Sequence, residues 1–237
     1  MGDVTHFKPE FNPEADLRIM EIGVDRTRLI IVDNALRNPD DLVAYAARQA
    51  MFSVPKDTIY PGLNAPLGRD FILGVVAVLR AALHEAYGVP GDYNLVCDGY
   101  LGLVTASPEA LTPYQAIPHI DTTIPAALAI LLYLCDETHG GTGFYRHRAT
   151  GFETLTSERM PDYNTALEAE LIQGSDRSAG FFDDSDGQFE RIAKVSAAFN
   201  RLIVYPSNHF HSAIVGPSRL NADPRLGRLT ANIFVTG

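Results

Sequence analysis

The stretch PHIDTTIP, Pro118 to Pro125, sets His119 and Asp121 two residues apart between prolines. Side chains of an extended segment alternate with a period of two, so both groups face one way and together offer an imidazole nitrogen and a carboxylate oxygen. One histidine and one carboxylate do not make a metal site. The stretch YPSNHFHSAI, Tyr205 to Ile214, adds His209 and His211, either of which supplies a third donor. Two imidazoles and one carboxylate hold a divalent ion and leave coordination positions open for other ligands, the arrangement of non-haem Fe(II) sites. Any one histidine taken singly is an ordinary structural or surface group; the chemistry lies in the set.

Elements must bring these segments together. RLIIVDN, Arg28 to Asn34, is a β-branched run ended by a turn residue and predicts a strand. A helix follows through DDLVAYAARQAMF, with Asn38 as N-cap, Pro39 in the first turn, Asp40 and Asp41 at the positive end of the dipole, and Leu42, Tyr45 and Ala46 on the buried face. TIYPGLNAPLGRD is rich in Pro and Gly and predicts a loop. FILGVVAVLRAALHEAYG predicts a helix packed on a sheet and closed by Gly88 and Pro90. From about Tyr93 onward the runs are short and β-rich: YNLVCDGYLGLVTA, PAALAILLYLCD, TGFYRHR, NRLIVYPS and RLTANIFVTG. DYNTALEAELI predicts a short helix among them, and FFDDSDGQFERI a turn with Gly187 left-handed. Helices first and strands later predict a mainly β, α+β architecture of the sandwich or jelly-roll kind, with helices bracing one sheet face.

Composition narrows the function. A chain of 237 residues, 46% hydrophobic and 20% charged, is long enough for one sizeable core, and we expect one domain. A formal net charge of -10 argues against nucleic acid as a partner. The N-terminus lacks a secretory pattern, and His6 stands where a myristoylation signal would carry Ser or Thr. The apolar stretches are too short to span a bilayer, so no membrane partner is expected, and the two cysteines, Cys97 and Cys135, read as buried thiols of a cytoplasmic protein. Other chemistries find no support. DDSDG lacks the Glu that closes a calcium loop, and GGTGFYRHR lacks the Lys and helix of a phosphate loop. No G-x-S-x-G elbow occurs, and both cysteines sit in apolar settings that suit no nucleophile.

In chain order the motifs are HID, LLYLCD, GGTGFY, PSNHFH and RLT, preceded by RLIIVDNAL. This series resembles the Fe(II)/2-oxoglutarate-dependent dioxygenases, particularly the prolyl-hydroxylase-like group and an uncharacterised bacterial branch of it. The resemblance covers roughly residues 28 to 237. It implies a double-stranded β-helix, a cupin-like jelly roll, with residues 1–92 as an opening strand and supporting helices and residues 93–237 as the core. It further implies Fe(II), 2-oxoglutarate and O2 as cofactor and cosubstrates, with hydroxylation of a C–H bond in an amino-acid side chain or a small metabolite. His119, Asp121 and His211 are the implied metal ligands; His211 is preferred to His209 for its place after Pro206 and Ser207. Strand alternation sends His209 and His211 to the same side, which leaves His209 as ligand, as hydrogen-bond donor behind the ligands, or as a surface group. Arg228 and Thr230 are the implied partners of the distal carboxylate of 2-oxoglutarate, which a planar guanidinium grips bidentately. Tyr133 joins them by resemblance or is simply a core aromatic. Tyr145 and Arg146, leaving the glycine turn, are candidate substrate contacts with His209. Two other readings stay open: a jelly-roll binding or sensor module without turnover, and a cupin-like metalloenzyme that takes no 2-oxoglutarate. The substrate, peptide or metabolite, and the oligomeric state are not legible.

Overall fold

The structure, a computed structural model, describes residues 7–56, 60–90, 95–173, 180–216 and 220–236. The N-terminal residues weighed above as a lipidation signal, and the first residues of the runs beginning at 58 and 93, lie outside that description. In chain order the elements are β1 (Asp16–Ile22), β2 (Thr27–Asp33), α1 (Pro39–Arg48), β3 (Gly62–Pro66), α2 (Arg69–Tyr87), β4 (Val96–Val104), β5 (Leu128–Tyr133), β6 (Gly141–His147), α3 (Met160–Gln173), β7 (Phe189–Ser196), β8 (Arg201–Pro206), β9 (His211–Ile214) and β10 (Arg228–Thr236). They build two antiparallel sheets, one of seven strands in the order β1-β2-β8-β5-β10-β4-β3 and one of three in the order β7-β6-β9. Mostly β with few helices, the architecture is a jelly-roll-like sandwich.

Strand alternation sorts the larger sheet into two faces. Ile30, Val32, Ile130, Leu132, Leu202, Val204, Leu229 and Ala231 point outward and pack with the helix residues Leu42, Phe71, Val75, Leu79 and Leu83. The intervening positions, Leu29, Ile31, Leu131, Tyr133, Ile203 and Tyr205, turn inward and meet Phe144 and Val195 of the smaller sheet. Each large apolar side chain so buried contributes about 1.5–3 kcal/mol. A third cluster, Tyr145, Leu155, Tyr163, Phe182, Phe189 and Phe210, covers the outside of the smaller sheet. The residues that face the space between the sheets are therefore set by parity, and that space holds the site.

The helix signals act as expected, with local differences. α1 begins at Pro39 and buries Leu42 and Ala46, but it stops at Arg48, short of the expected Phe52. Tyr45 is only half-buried. Asn38 makes no side-chain cap; its Oδ1 accepts the Glu10 N–H instead, at 2.9 Å. α2 closes on Gly88 at φ 70°, whose N–H bonds the His84 carbonyl at 2.9 Å. Within the expected loop at 58–70 lies β3, an edge strand paired with β4 from Gly62↔Val104 to Pro66↔Tyr100. Pro and Gly are tolerated there because an edge strand pairs on one side only. Gly187 is not left-handed; Gly180, ahead of that turn, is, at φ 147°. Among the described residues no helix is long and apolar enough to cross a membrane.

Candidate functional site

Backbone pairing brings the two donor segments together. His119 and His211 exchange N–H to carbonyl bonds, each at 2.9 Å, and the Asp121 N–H bonds the Ser207 carbonyl at 2.8 Å. The PHID segment thus lies antiparallel beside the entry to β9. With that register, one ligand atom from each of His119, Asp121 and His211 falls within 4.8 Å of the others. His211 Nε2 stands 3.7 Å from Asp121 Oδ1, and the two imidazole rings are 4.6 Å apart. A single ion with bonds of about 2.1 Å bridges such donors after small side-chain rotations.

The second contacts of His211 decide which nitrogen faces the cluster. Its Nδ1 lies 2.8 Å from the His209 carbonyl oxygen. A carbonyl only accepts, so Nδ1 carries the proton and the Nε2 lone pair points to Asp121. Holding a metal-binding histidine by its other nitrogen is a general device for fixing ring orientation.

Burial sets the protonation states. Desolvation, helped by the neighbouring His211, pushes His119 down to about 4. His211 also falls to about 4, again through burial. Desolvation lifts the Asp121 carboxyl to about 6, opposed by the charge of His119 and by the Ser207 side chain. At neutral pH the cluster is therefore two neutral imidazoles and a carboxylate, the protonation state that donates to a metal.

Next to the cluster opens a cavity of about 510 Å³ between the sheets, lined by His119, Asp121 and His211 and, on β10, by Arg228, Thr230 and Asn232. Arg228 is 2% exposed. Its Nη2 donates to the Gly141 carbonyl at 2.8 Å, while its Nε has no hydrogen-bond partner. Among the described residues no carboxylate lies within ion-pairing distance of it. A buried cation left in this state is costly unless something anionic arrives. Tyr133 stands opposite Thr230 across the β5–β10 ladder, with its ring 5.8 Å from the Arg228 guanidinium and its hydroxyl 2.5 Å from Thr142 Oγ1. Gly141 has no room for a side chain: a Cβ there would sit 2.2 Å from the Val195 carbonyl oxygen.

Three expected substrate contacts lie elsewhere. His209 is fully buried but does not line the cavity. Regular alternation is interrupted because Pro206 to His209 form a turn, with the His209 N–H bonded back to the Pro206 carbonyl at 3.0 Å. His209 bridges to Thr154 and packs on Phe144, its ring 5.6 Å away. Tyr145 points to the outside of the smaller sheet, its ring 5.0 Å from Phe182. Arg146, beyond a bulge at Phe144/Tyr145, is held by Glu153 at 2.6 Å and Glu190 at 3.2 Å. Neither lines the cavity.

The sequence reading missed Tyr60, Tyr100, Gln115, Phe181, Asn232 and Phe234, all of which line the cavity. For Asn232 and Phe234 the signal was present: the alternation that puts Thr230 beside Arg228 extends to both. Tyr60 and Tyr100 arrive through the unforeseen pairing of β3 with β4. The tight approach of Tyr60 and Asn232 requires Gly102, where a Cβ would stand 2.5 Å from Tyr60 Oη and 2.9 Å from Asn232 Nδ2.

The chain is similar to two solved structures: HygX from Streptomyces hygroscopicus with nickel and 2-oxoglutarate bound, at 11% identity over 89% of this chain and 83% of that one, TM-score 0.46; and a novel N-substituted L-amino acid dioxygenase from Burkholderia ambifaria AMMD, at 11% identity over 97% and 94%, TM-score 0.40. No curated protein matches the chain. Residues 13–235, which include every cavity residue named above, match the model of a family of unknown function, DUF6445, and the chain belongs to that family.

Proposed function

We propose that this protein is a non-haem Fe(II)/2-oxoglutarate-dependent oxygenase that hydroxylates a C–H bond of a small molecule or side chain. The observation that carries the proposal is the pairing, in one cavity, of a His119/Asp121/His211 donor cluster with a buried guanidinium that has no carboxylate partner among the described residues. On this reading the sandwich is a double-stranded β-helix, residues 1–237 form one domain, and the protein works in the cytoplasm with both cysteines reduced.

Each residue has a stated task. His119 and His211 supply neutral nitrogens and Asp121 a carboxylate, which together present one face of a divalent ion and leave the rest open. Arg228 grips the distal carboxylate of 2-oxoglutarate, and Thr230 donates its hydroxyl to the same group. Tyr133 holds Thr142 and stacks near the guanidinium, so it orients the anchor. The apolar walls exclude water, which strengthens the Arg228 contact. Ferrous iron bound at the cluster would supply oxygen activation coupled to oxidative decarboxylation of 2-oxoglutarate to succinate and CO2. Retention of Asp121 favours hydroxylation over halogenation, since a halide would need that position.

Anaerobic addition of Fe(II) and then 2-oxoglutarate tests the proposal. A visible metal-to-ligand charge-transfer band, followed on exposure to air by slow succinate release, is the expected result. A protein that binds Fe(II) but shows no band with 2-oxoglutarate would be a metalloenzyme of another kind, and a band without succinate would mark a binding module.

A further inference from the structure

Beyond the metal and diacid groups, the cavity has an aromatic rim. Tyr100 and Phe234 lie on the inner faces of β4 and β10, with ring centroids 5.9 Å apart, and Tyr60 meets Tyr100 edge-on at 5.6 Å. Phe181 lines the same space. All four residues are half-buried, with Phe234 packed against the inner core cluster and the Tyr60 hydroxyl buried. Half-buried aromatic rings that line a cavity beside a donor cluster mark a ligand subsite, because pockets for small molecules are walled chiefly by apolar and aromatic side chains. The position is also suitable: Tyr100 and Phe234 line the same cavity as His119, Asp121 and His211.

The charges of the cavity select among ligands. Among the described lining residues only Asp121 and Arg228 bear a formal charge once the two imidazoles donate to an ion, since a histidine ligand is neutral. With a divalent ion and dianionic 2-oxoglutarate in place, the ion and the guanidinium together balance the carboxylate and the diacid, and the formal sum is zero. Among the described lining residues no cation is left for a substrate anion, and no carboxylate for a substrate cation. A charged substrate group would enter a low-dielectric space without a partner, at a cost of several kcal-scale contacts that aromatic packing does not return. Gln115 and Asn232 remain as amides able to orient a neutral polar group.

We propose that the group presented to the metal is uncharged and apolar, aromatic by preference, and is held on the Tyr100/Phe234/Phe181 rim. This inference rests on the oxygenase reading and specifies its substrate class.

Three probes with one ring and different charge test it: indole, indole-3-acetate and tryptamine. Each is titrated into protein loaded with Zn(II), as a redox-inert ion, and 2-oxoglutarate, with binding followed by saturation-transfer NMR and calorimetry. Indole should bind, and the anion and the cation should each bind at least about tenfold more weakly. Tyr100→Ala and Phe234→Leu should each weaken indole about tenfold while 2-oxoglutarate binding stays close to the parent value, which shows that the folded site persists. Phe181→Arg, which adds one cation to the wall, should reverse the order of indole and indole-3-acetate. Tighter binding of either charged probe to the parent protein, or indole binding untouched in both rim variants, would overturn the inference. Failure to bind Zn(II) and 2-oxoglutarate in the first place would instead overturn the oxygenase reading, so the two failures are distinguishable.

Discussion

Arg228→Met separates a working guanidinium from a structural one, because the two roles predict opposite effects on stability. In the parent protein the side chain is 2% exposed and, among the described residues, donates to the Gly141 carbonyl at 2.8 Å and leaves Nε without a partner. Methionine fills a similar volume and carries no charge. Loss of the one charge-assisted hydrogen bond costs about 1.5–3 kcal/mol. Removing a buried, uncompensated charge returns an amount of the same order, since apolar replacement of buried ions is neutral or stabilising by about 1–4 kcal/mol. Urea unfolding of the metal-free variant should therefore stay within about 2 kcal/mol of the parent, on either side. The diacid responds differently. Truncating one partner of a buried, hydrogen-bonded charge pair costs about 2–5 kcal/mol. Calorimetry of 2-oxoglutarate against the Zn(II)-loaded variant should then show Kd weakened about 30- to 5,000-fold. Arg228→Lys should fall between, keeping the charge but losing the planar fork. A variant that binds 2-oxoglutarate within about threefold of the parent, or one that loses more than about 4 kcal/mol of stability, would refute the assignment.

Four further outcomes follow from the same geometry. His211→Ala should lose metal binding by more than about 100-fold while His209→Ala stays within about tenfold, because only the backbone carbonyl of His209 touches the cluster; the reverse order in a Zn(II) titration would exchange the two. Metal affinity should begin to fall as pH drops through about 6, where Asp121 takes up its proton, and should steepen only near about 4, where both histidines protonate. Proton release per Zn(II), measured by calorimetry in two buffers, should approach one near about pH 5 and vanish by about pH 7.5; release of two protons near pH 6.5 would show solvated imidazoles instead. Gly141→Ala should destabilise by about 1–3 kcal/mol in urea, as its Cβ meets the Val195 carbonyl, and should weaken 2-oxoglutarate through displacement of the Arg228 acceptor. Arg146→Ala should lower the melting temperature, because Glu153 is fully buried and also caps the Val24 and Asp25 N–H groups, yet leave metal and 2-oxoglutarate binding unchanged; a change in either would bring Arg146 back to the site.

The helices and the central strands were legible because their signals are local. Pro39 with two aspartates starts α1, Gly88 ends α2, the runs that became β5 and β8 are apolar on both faces because both faces are covered, and β10 alternates apolar Leu229, Ala231 and Ile233 with the polar residues of the cavity. The strands that escaped are β1, β3, β7 and β9: all four form sheet edges, and β9 is only four residues long. An edge strand such as GLNAP takes its geometry from the neighbour it pairs with, which composition does not report. The site divides the same way. His119, Asp121, Arg228 and Thr230 stand out by residue type and spacing. Tyr60 and Tyr100 look like ordinary aromatics until the β3–β4 register sets them beside Asn232. His209 and His211 could not be separated by period alone, since the turn after Pro206 breaks the alternation that the argument assumed.

The most direct measurement is a crystal structure with Mn(II), as a redox-inert stand-in for iron, and 2-oxoglutarate, using anomalous scattering to locate the ion. The account predicts a single peak bonded to His119, to Asp121 and to His211 Nε2, with the distal carboxylate of 2-oxoglutarate against Arg228. An ion found away from those three side chains, or a diacid seated without the guanidinium, would contradict it.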